Sequence, residues 1–272
     1  MRNVVLAALI GAVALWQPTV SHAQLVLYDD FAGPLINPDK WFGTEATGGA
    51  GNATSETERF VKSGQLILGL GQYGLSNSDS GRSVGRVRLQ FPNSGPLTTI
   101  QADLTVAGVE IGTCPTNTDS AATGAAFIIG QYFNDGTSSG AGDVTGDVQA
   151  TVQKLADSAL GNVIRGVVLR CSNSSCSTAE TLASQIFTTS WTPGERHTLT
   201  LTWDAPNHQF IVSAKASHGT METYPLPYTV SDSAPPIAFV RELILSNFTP
   251  NCNGSQKRVF MSTLWDTVMV NP

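Results

Sequence analysis

Charge is scarce in this chain. Only 13% of its 272 residues are Asp, Glu, Lys or Arg, and 15 basic residues face 21 acidic ones for a formal charge of −6. A nucleic-acid-binding surface needs clustered Lys and Arg, and no basic run occurs, so that class of partner is set aside. Histidine is rarer still, with His197, His208 and His218 the only ones after residue 23. A hairpin folded about Asp204 to Asn207 sets Trp203 beside His208 and His197 near Ala214, which makes no histidine pair for a metal. After Val4–Trp16 no apolar run approaches the length of a membrane span, so the rest of the chain is read as having none. Helical periodicity is missing except for a turn or two at Thr178 to Gln185, and there is no internal repeat and no linker.

The apolar run near the start follows a short Met-Arg-Asn segment and ends at Ser21-His22-Ala23. This is the pattern of a secretory signal peptide over residues 1–23, with a mature domain over 24–272 that is secreted or periplasmic. Four cysteines then lie in an oxidising compartment. Cys171 and Cys176 bracket Ser-Asn-Ser-Ser as a clip across a loop, which leaves Cys114 and Cys252 as a long-range staple.

Most of the remainder alternates polar and apolar residues, the signature of strands with one dry face and one wet face. The clearest case is Asp143 to Gln153. There Asp143, Thr145, Asp147, Gln149, Thr151 and Gln153 alternate with Val144, Gly146, Val148, Ala150 and Val152. Arg86, Arg88 and Gln90 oppose Val87, Leu89 and Phe91, and Gln101, Asp103 and Thr105 oppose Ile100, Leu104 and Val106. Further strands are expected at 25–31, 125–133, 163–170, 197–203, 209–215, 240–248 and 259–270, with a hairpin of 58–61 and 65–70 about Ser63-Gly64. Breaks are expected at Asn134-Asp135-Gly136, Asp204 to Asn207, Pro225 to Pro227 and Pro235-Pro236. About a dozen strands joined by short turns predict an all-β, two-sheet antiparallel sandwich.

Several motifs match on paper only. Gly69-Leu-Gly71-Gln-Tyr-Gly74 fits a dinucleotide fingerprint, but a loop-like stretch follows it where a helix is needed. Gly81-Arg-Ser83-Val-Gly85 and Gly136-Thr-Ser138-Ser-Gly140 fit a nucleophile elbow without its strand-to-helix setting. Glu56 and Glu58 share a strand face and read as solvated surface charge.

The run Leu25 to Trp41 resembles the opening strand of concanavalin A-like glucanases and lectins, especially glycoside hydrolase family 16. Phe60 to Leu68 is similar to that family's second hairpin, and Leu264 to Val270 to its closing strand. The resemblance spans the mature domain and implies a concanavalin A-like jelly roll. Family hydrolases carry E-x-D-x-x-E; aligned on Gly146, the nucleophile position falls on Asp147, the central aspartate on Gln149 and the acid/base on Thr151 or Val152. Ile128 stands where the family often has a tryptophan flooring the sugar site. A retaining mechanism needs two carboxyls about 5–5.5 Å apart, which this pattern lacks. The family's structural calcium brings Asp30 and Asp266 into view as candidate ligands, with no other cofactor required.

These readings converge on a non-catalytic, lectin-like protein that recognises a polysaccharide on its concave sheet. The expected lining is Arg86, Arg88, Gln101, Asp103, Tyr132, Asp147, Gln149 and Thr151, with Trp191 or Trp265 as further stacking surfaces. The alternatives are a glycoside hydrolase or polysaccharide lyase with a non-standard set including Asp147, and a structural envelope protein. Asp143 and Asp147 lie roughly 13 Å apart along an extended strand, too far for a retaining pair.

Overall fold

A computed structural model describes residues 24–49, 54–92, 97–238 and 240–271, with side chains of 44–49 left aside. The expected signal segment lies outside them. In chain order the strands are β1 (Val26–Asp29), β2 (Phe42–Gly49), β3 (Ser55–Lys62), β4 (Gln65–Tyr73), β5 (Arg82–Gln90), β6 (Thr99–Ile111), β7 (Thr123–Asn134) and β8 (Asp147–Asp157). They continue with β9 (Gly161–Cys171), β10 (Ala179–Ser190), β11 (Arg196–Asp204), β12 (Gln209–Ala216), β13 (Met221–Pro227), β14 (Arg241–Pro250) and β15 (Arg258–Val270). The sole helical element among the described residues is a 3-10 turn at Ala205–Asn207.

Two antiparallel sheets result. One has the order β13-β12-β11-β6-β15-β4-β3, with β1 added on β15; the other has the order β10-β9-β8-β7-β14-β5-β2. Alternate residues of both sheets face inward and fill one core, in which Leu66, Leu68, Leu104, Leu199 and Met261 of one sheet meet Val87, Ile128, Val152, Val168 and Leu245 of the other. This is the sandwich that the alternation predicts. Close approach of the sheets is visible at Gly166, where a Cβ would stand 2.6 Å from Val212 Cγ2.

The chain start is tied down by aromatics. Trp41 packs against Tyr28, Phe31 and Phe91, and its Nε1 donates to the buried Asp29 at 2.7 Å. The disulfides are Cys114–Cys252, spanning 138 residues, and Cys171–Cys176, spanning 5. Both pairs are those expected from spacing. By loop-closure entropy the long staple contributes about 5 kcal/mol and the clip about 2 kcal/mol. Disulfides fit an oxidising compartment, and among the described residues no helix is long and apolar enough to cross a membrane.

Four expectations change. Asp143 to Gly146 is a turn, because Gly146 takes φ +83° and Asp143 accepts hydrogen bonds from Ser139 and Thr145; the strand therefore starts at Asp147. Thr178 to Gln185 is mostly strand, part of β10 at the sheet edge. Pro225 and Pro227 lie inside β13, paired with Ile211 and Gln209, which an edge strand tolerates because its outer N–H groups need no partner. In the β11–β12 hairpin, Trp203 pairs with Phe210 and His197 with Ala216, since His208 is spent on the turn at φ +49°. The Ser63-Gly64 hairpin forms as expected, both residues taking positive φ.

Candidate functional site

The outer face of the seven-stranded sheet carries a groove of about 520 Å³. It is built from alternate residues of five neighbouring strands. On β8, Val148, Ala150 and Val152 point into the core, so Gln149, Thr151 and Gln153 point out. On β7, Ala126 and Ile128 are core, so Phe127, Ile129 and Gln131 point out. The same parity places Arg86 and Arg88 of β5, Glu242, Ile244 and Phe248 of β14, and Arg165, Val167 and Leu169 of β9 on the groove side.

Register makes the floor specific. One row crosses the sheet as Arg88, Ile244, Phe127, Gln153 and Arg165, each paired with the next. Its ends are four strand spacings apart, roughly 19 Å. The neighbouring rows run Arg86, Ser246, Ala125, Leu155 and, on the other side, Gln90, Glu242, Ile129, Thr151, Val167. The floor is thus apolar and amide-bearing along its middle, with guanidinium groups on both flanks. At one end the Arg82 guanidinium stacks on Phe248, 4.5 Å from the ring centre, and at the other Cys176 sits beside Gln149.

Electrostatics set the state of these groups. Glu242 is 2% exposed and bonded by Arg88 at 3.3 Å. Burial pushes its carboxyl above the usual range, while Arg88 and Arg86 oppose the shift. Arg86 is open to solvent, yet the walls around it exclude enough water to lower its pKa, and the like charge of Arg88 adds to this. Arg165 is lowered by burial too, against Asp157. Two hydrogen-bonding atoms of the lining, Arg88 Nε and Gln131 Oε1, are buried and have no partner among the described residues.

Of the residues expected from sequence, Arg86, Arg88, Gln149 and Thr151 line the groove. Gln101 and Asp103 do not, because β6 belongs to the other sheet; Asp103 binds Arg196 and Thr198 there, and Gln101 accepts from Thr200 at 3.3 Å. Tyr132 is turned into the core by a bulge between Gln131 and Phe133, and packs on Arg241 and Phe210. Asp147 is fully buried, accepting from Asn134 Nδ2 at 2.8 Å and from the backbone N–H groups of Ile237 and Ala238 at 2.9 and 3.1 Å. It anchors a loop and faces no solvent. Trp191 and Trp265 are core residues with their indole N–H groups satisfied internally, and Ile128 is core beside the groove-facing Phe127.

Sequence reasoning missed Arg165, Glu242, Gln131, Phe127 and Phe248. Arg165 and Glu242 stand beside core residues as Arg86 does, whereas Phe127 lies in an unbroken apolar run and Phe248 between the buried polar Asn247 and Thr249, so alternation does not mark them; and nothing local says which strands are neighbours. Asp30 follows β1, and Asp266 lies in β15, the strand that β1 pairs with. Asp30 accepts from Ala32 N, and Asp266 lies opposite Asp103 with its carboxylate on Thr267 N and the Arg196 charge close by. Arg196 thus supplies positive charge beside Asp103 and Asp266. Among the described residues the one cluster of three acid, Cys or His groups is Asp79 with Cys114 and Cys252, whose sulfurs are a disulfide.

Among the described lining residues the groove holds two carboxyls, Glu242 and Asp157. Glu242 is level with Thr151 through Ile129, and Asp157 lies six residues further along β8, roughly 20 Å away. Glycoside hydrolysis by a carboxyl pair needs about 5–9.5 Å. Asp157 is moreover engaged by Thr123 Oγ1 and the N–H groups of Ala159 and Leu160. No His, Lys or Tyr is among the described lining residues to serve as a general base.

No protein-family model matches the chain, and no curated protein matches it in sequence. Among solved structures it is similar to an alginate lyase at 13% identity, covering 81% of this chain and 86% of that one with a TM-score of 0.41. It is also similar to winged bean acidic lectin in complex with methyl-α-D-galactose, at 12% identity over 92% and 99% of the two chains with a TM-score of 0.43. A legume lectin-like domain from Entamoeba histolytica matches at 11% identity over 89% and 98%, TM-score 0.36. Likeness of this order assigns no ligand.

Proposed function

We propose that this is a non-catalytic, carbohydrate-binding protein of the extracellular or periplasmic space, taking a polysaccharide along the groove of the seven-stranded, concave sheet. The observation that carries the reading is the floor itself. An open trough has the apolar Phe127 and Ile244 along its middle and a line of amides, Gln131, Gln149 and Gln153, beside them. Sugars offer an apolar ring face and many hydroxyls, and this surface offers a complement to both. The 20 Å between the two groove carboxyls supports binding over cleavage.

Affinity electrophoresis of the purified protein through gels containing β-glucans, galactans and uronic-acid polymers tests the reading. Retardation by at least one polymer is expected, and Gln149→Ala with Phe127→Ala is expected to abolish it while the melting transition stays cooperative. Retardation unchanged in that double variant would remove the groove from the account, and release of reducing ends or unsaturated products would replace binding by catalysis.

A further inference from the structure

The groove differs in charge from the rest of the molecule. The chain carries a formal −6. The groove lining instead holds Arg82, Arg86, Arg88 and Arg165 against Glu242 and Asp157, an excess of two positive charges. Asp157 is taken up by its own turn, and Glu242 by Arg88. No carboxylate among the described residues lies within ion-pair distance of Arg82, Arg86 or Arg165. Arg86 and Arg88 point from alternate positions of one strand to the same side, so two guanidiniums stand over a single acid.

Two like charges side by side in a partly dry trough repel each other, and the arrangement is stabilised when an anion arrives between them. Guanidinium groups suit oxyanions, since their fork of donors matches a carboxylate or sulfate two bonds at a time. Resting on the binding reading above, we propose that the ligand is an acidic polysaccharide. Its carboxylate or sulfate groups pair with Arg86 and Arg88 on one flank and Arg165 on the other, while its rings lie over Phe127. The roughly 19 Å between the flanks suits a polymer with spaced charges. A nucleic acid carries one charge per about 1.7 Å of duplex and would meet an acidic protein outside the groove, so it is the poorer fit.

The test measures affinity for polygalacturonate, a sulfated galactan, a neutral β-glucan and a single-stranded oligonucleotide, each at low and high salt. One of the acidic polysaccharides is expected to bind roughly tenfold or more tighter than the neutral glucan, with affinity falling as salt rises; which of the two wins identifies carboxylate or sulfate. Arg86→Gln with Arg88→Gln is expected to bring acidic-polymer affinity down to the neutral-glucan level. Arg86→Lys with Arg88→Lys should recover part of it, and matched melting temperatures verify folding. Equal or tighter binding of the neutral glucan, insensitive to salt, overturns the acidic ligand and leaves the carbohydrate reading standing. Tighter binding of the oligonucleotide overturns the acidic polysaccharide in favour of nucleic acid. Binding of none of the four polymers overturns both.

Discussion

Phe127 and Ile128 are neighbours in β7, yet they belong to different problems. Ile128 is fully buried between the sheets, whereas Phe127 is half-exposed on the groove floor. The same division runs along β8, with Val148, Ala150 and Val152 inside and Gln149, Thr151 and Gln153 outside. A strand whose period is two serves stability with one set of residues and leaves the other set free for the proposed recognition. Substitutions on the two faces should therefore separate cleanly in what they damage.

The largest expected effect is at Ile128. Ile128→Ala removes a fully buried side chain from the core and should cost about 2–5 kcal/mol in denaturant unfolding, with polysaccharide affinity little changed in the folded fraction. Phe127→Ala should cost about 1 kcal/mol or less and lose the affinity. Equal stability losses would break the division between the faces.

Asp147 and Gln149 sharpen it, because sequence alternation gives them the same face. Asp147→Ala strands the Ile237 and Ala238 N–H groups and should cost about 1–3 kcal/mol by the same unfolding assay. Gln149→Ala should stay within about 0.5 kcal/mol and affect binding instead.

The core face also holds a titratable group. Lys154 is fully buried, donates to Glu195 O at 2.6 Å and lies over Trp191; burial pulls its pKa down to about 7, against the Glu195 charge. Unfolding returns it to about 10.4, so between these values the unfolded chain binds the extra proton and stability rises with pH. Below neutrality the buried His197, lowered by desolvation and by Lys154, acts in the same direction. Unfolding free energy should climb from pH 7.5 to 9.5 with a slope approaching about 1.4 kcal/mol per unit, and Lys154→Met should flatten it. A slope that survives in Lys154→Met would assign the effect elsewhere.

The smallest expected effect concerns calcium, which wants six to eight oxygens. Asp30 and Asp266 are each bonded to their own backbone, and excess calcium is expected to leave the melting temperature unchanged. A rise that disappears in Asp266→Ala would support the calcium site.

The sandwich and most of its strands were legible because alternation is a local property. Arg86, Arg88, Gln149 and Thr151 could be assigned to a polar face for the same reason. Which faces share a surface depends on strand order, and that is a long-range property: β6 looks like β5 in pattern but lies in the opposite sheet. Asp147 shows the other limit, since a parity rule holds only inside a strand and Asp147 begins one, under a loop 90 and 91 residues away at Ile237 and Ala238. The resemblance to a catalytic strand put a nucleophile position on this residue, and its burial leaves it no path to a sugar.

Glutamine side-chain amides give the most direct test of the groove. Gln131, Gln149 and Gln153 line it, while Gln101 sits on the other sheet as an internal control. On titration with a polysaccharide that retards the protein, the side-chain amide resonances of the first three are expected to shift while those of Gln101 stay in place. Shifts at Gln101 with the groove glutamines unmoved would contradict the assignment of binding to this face.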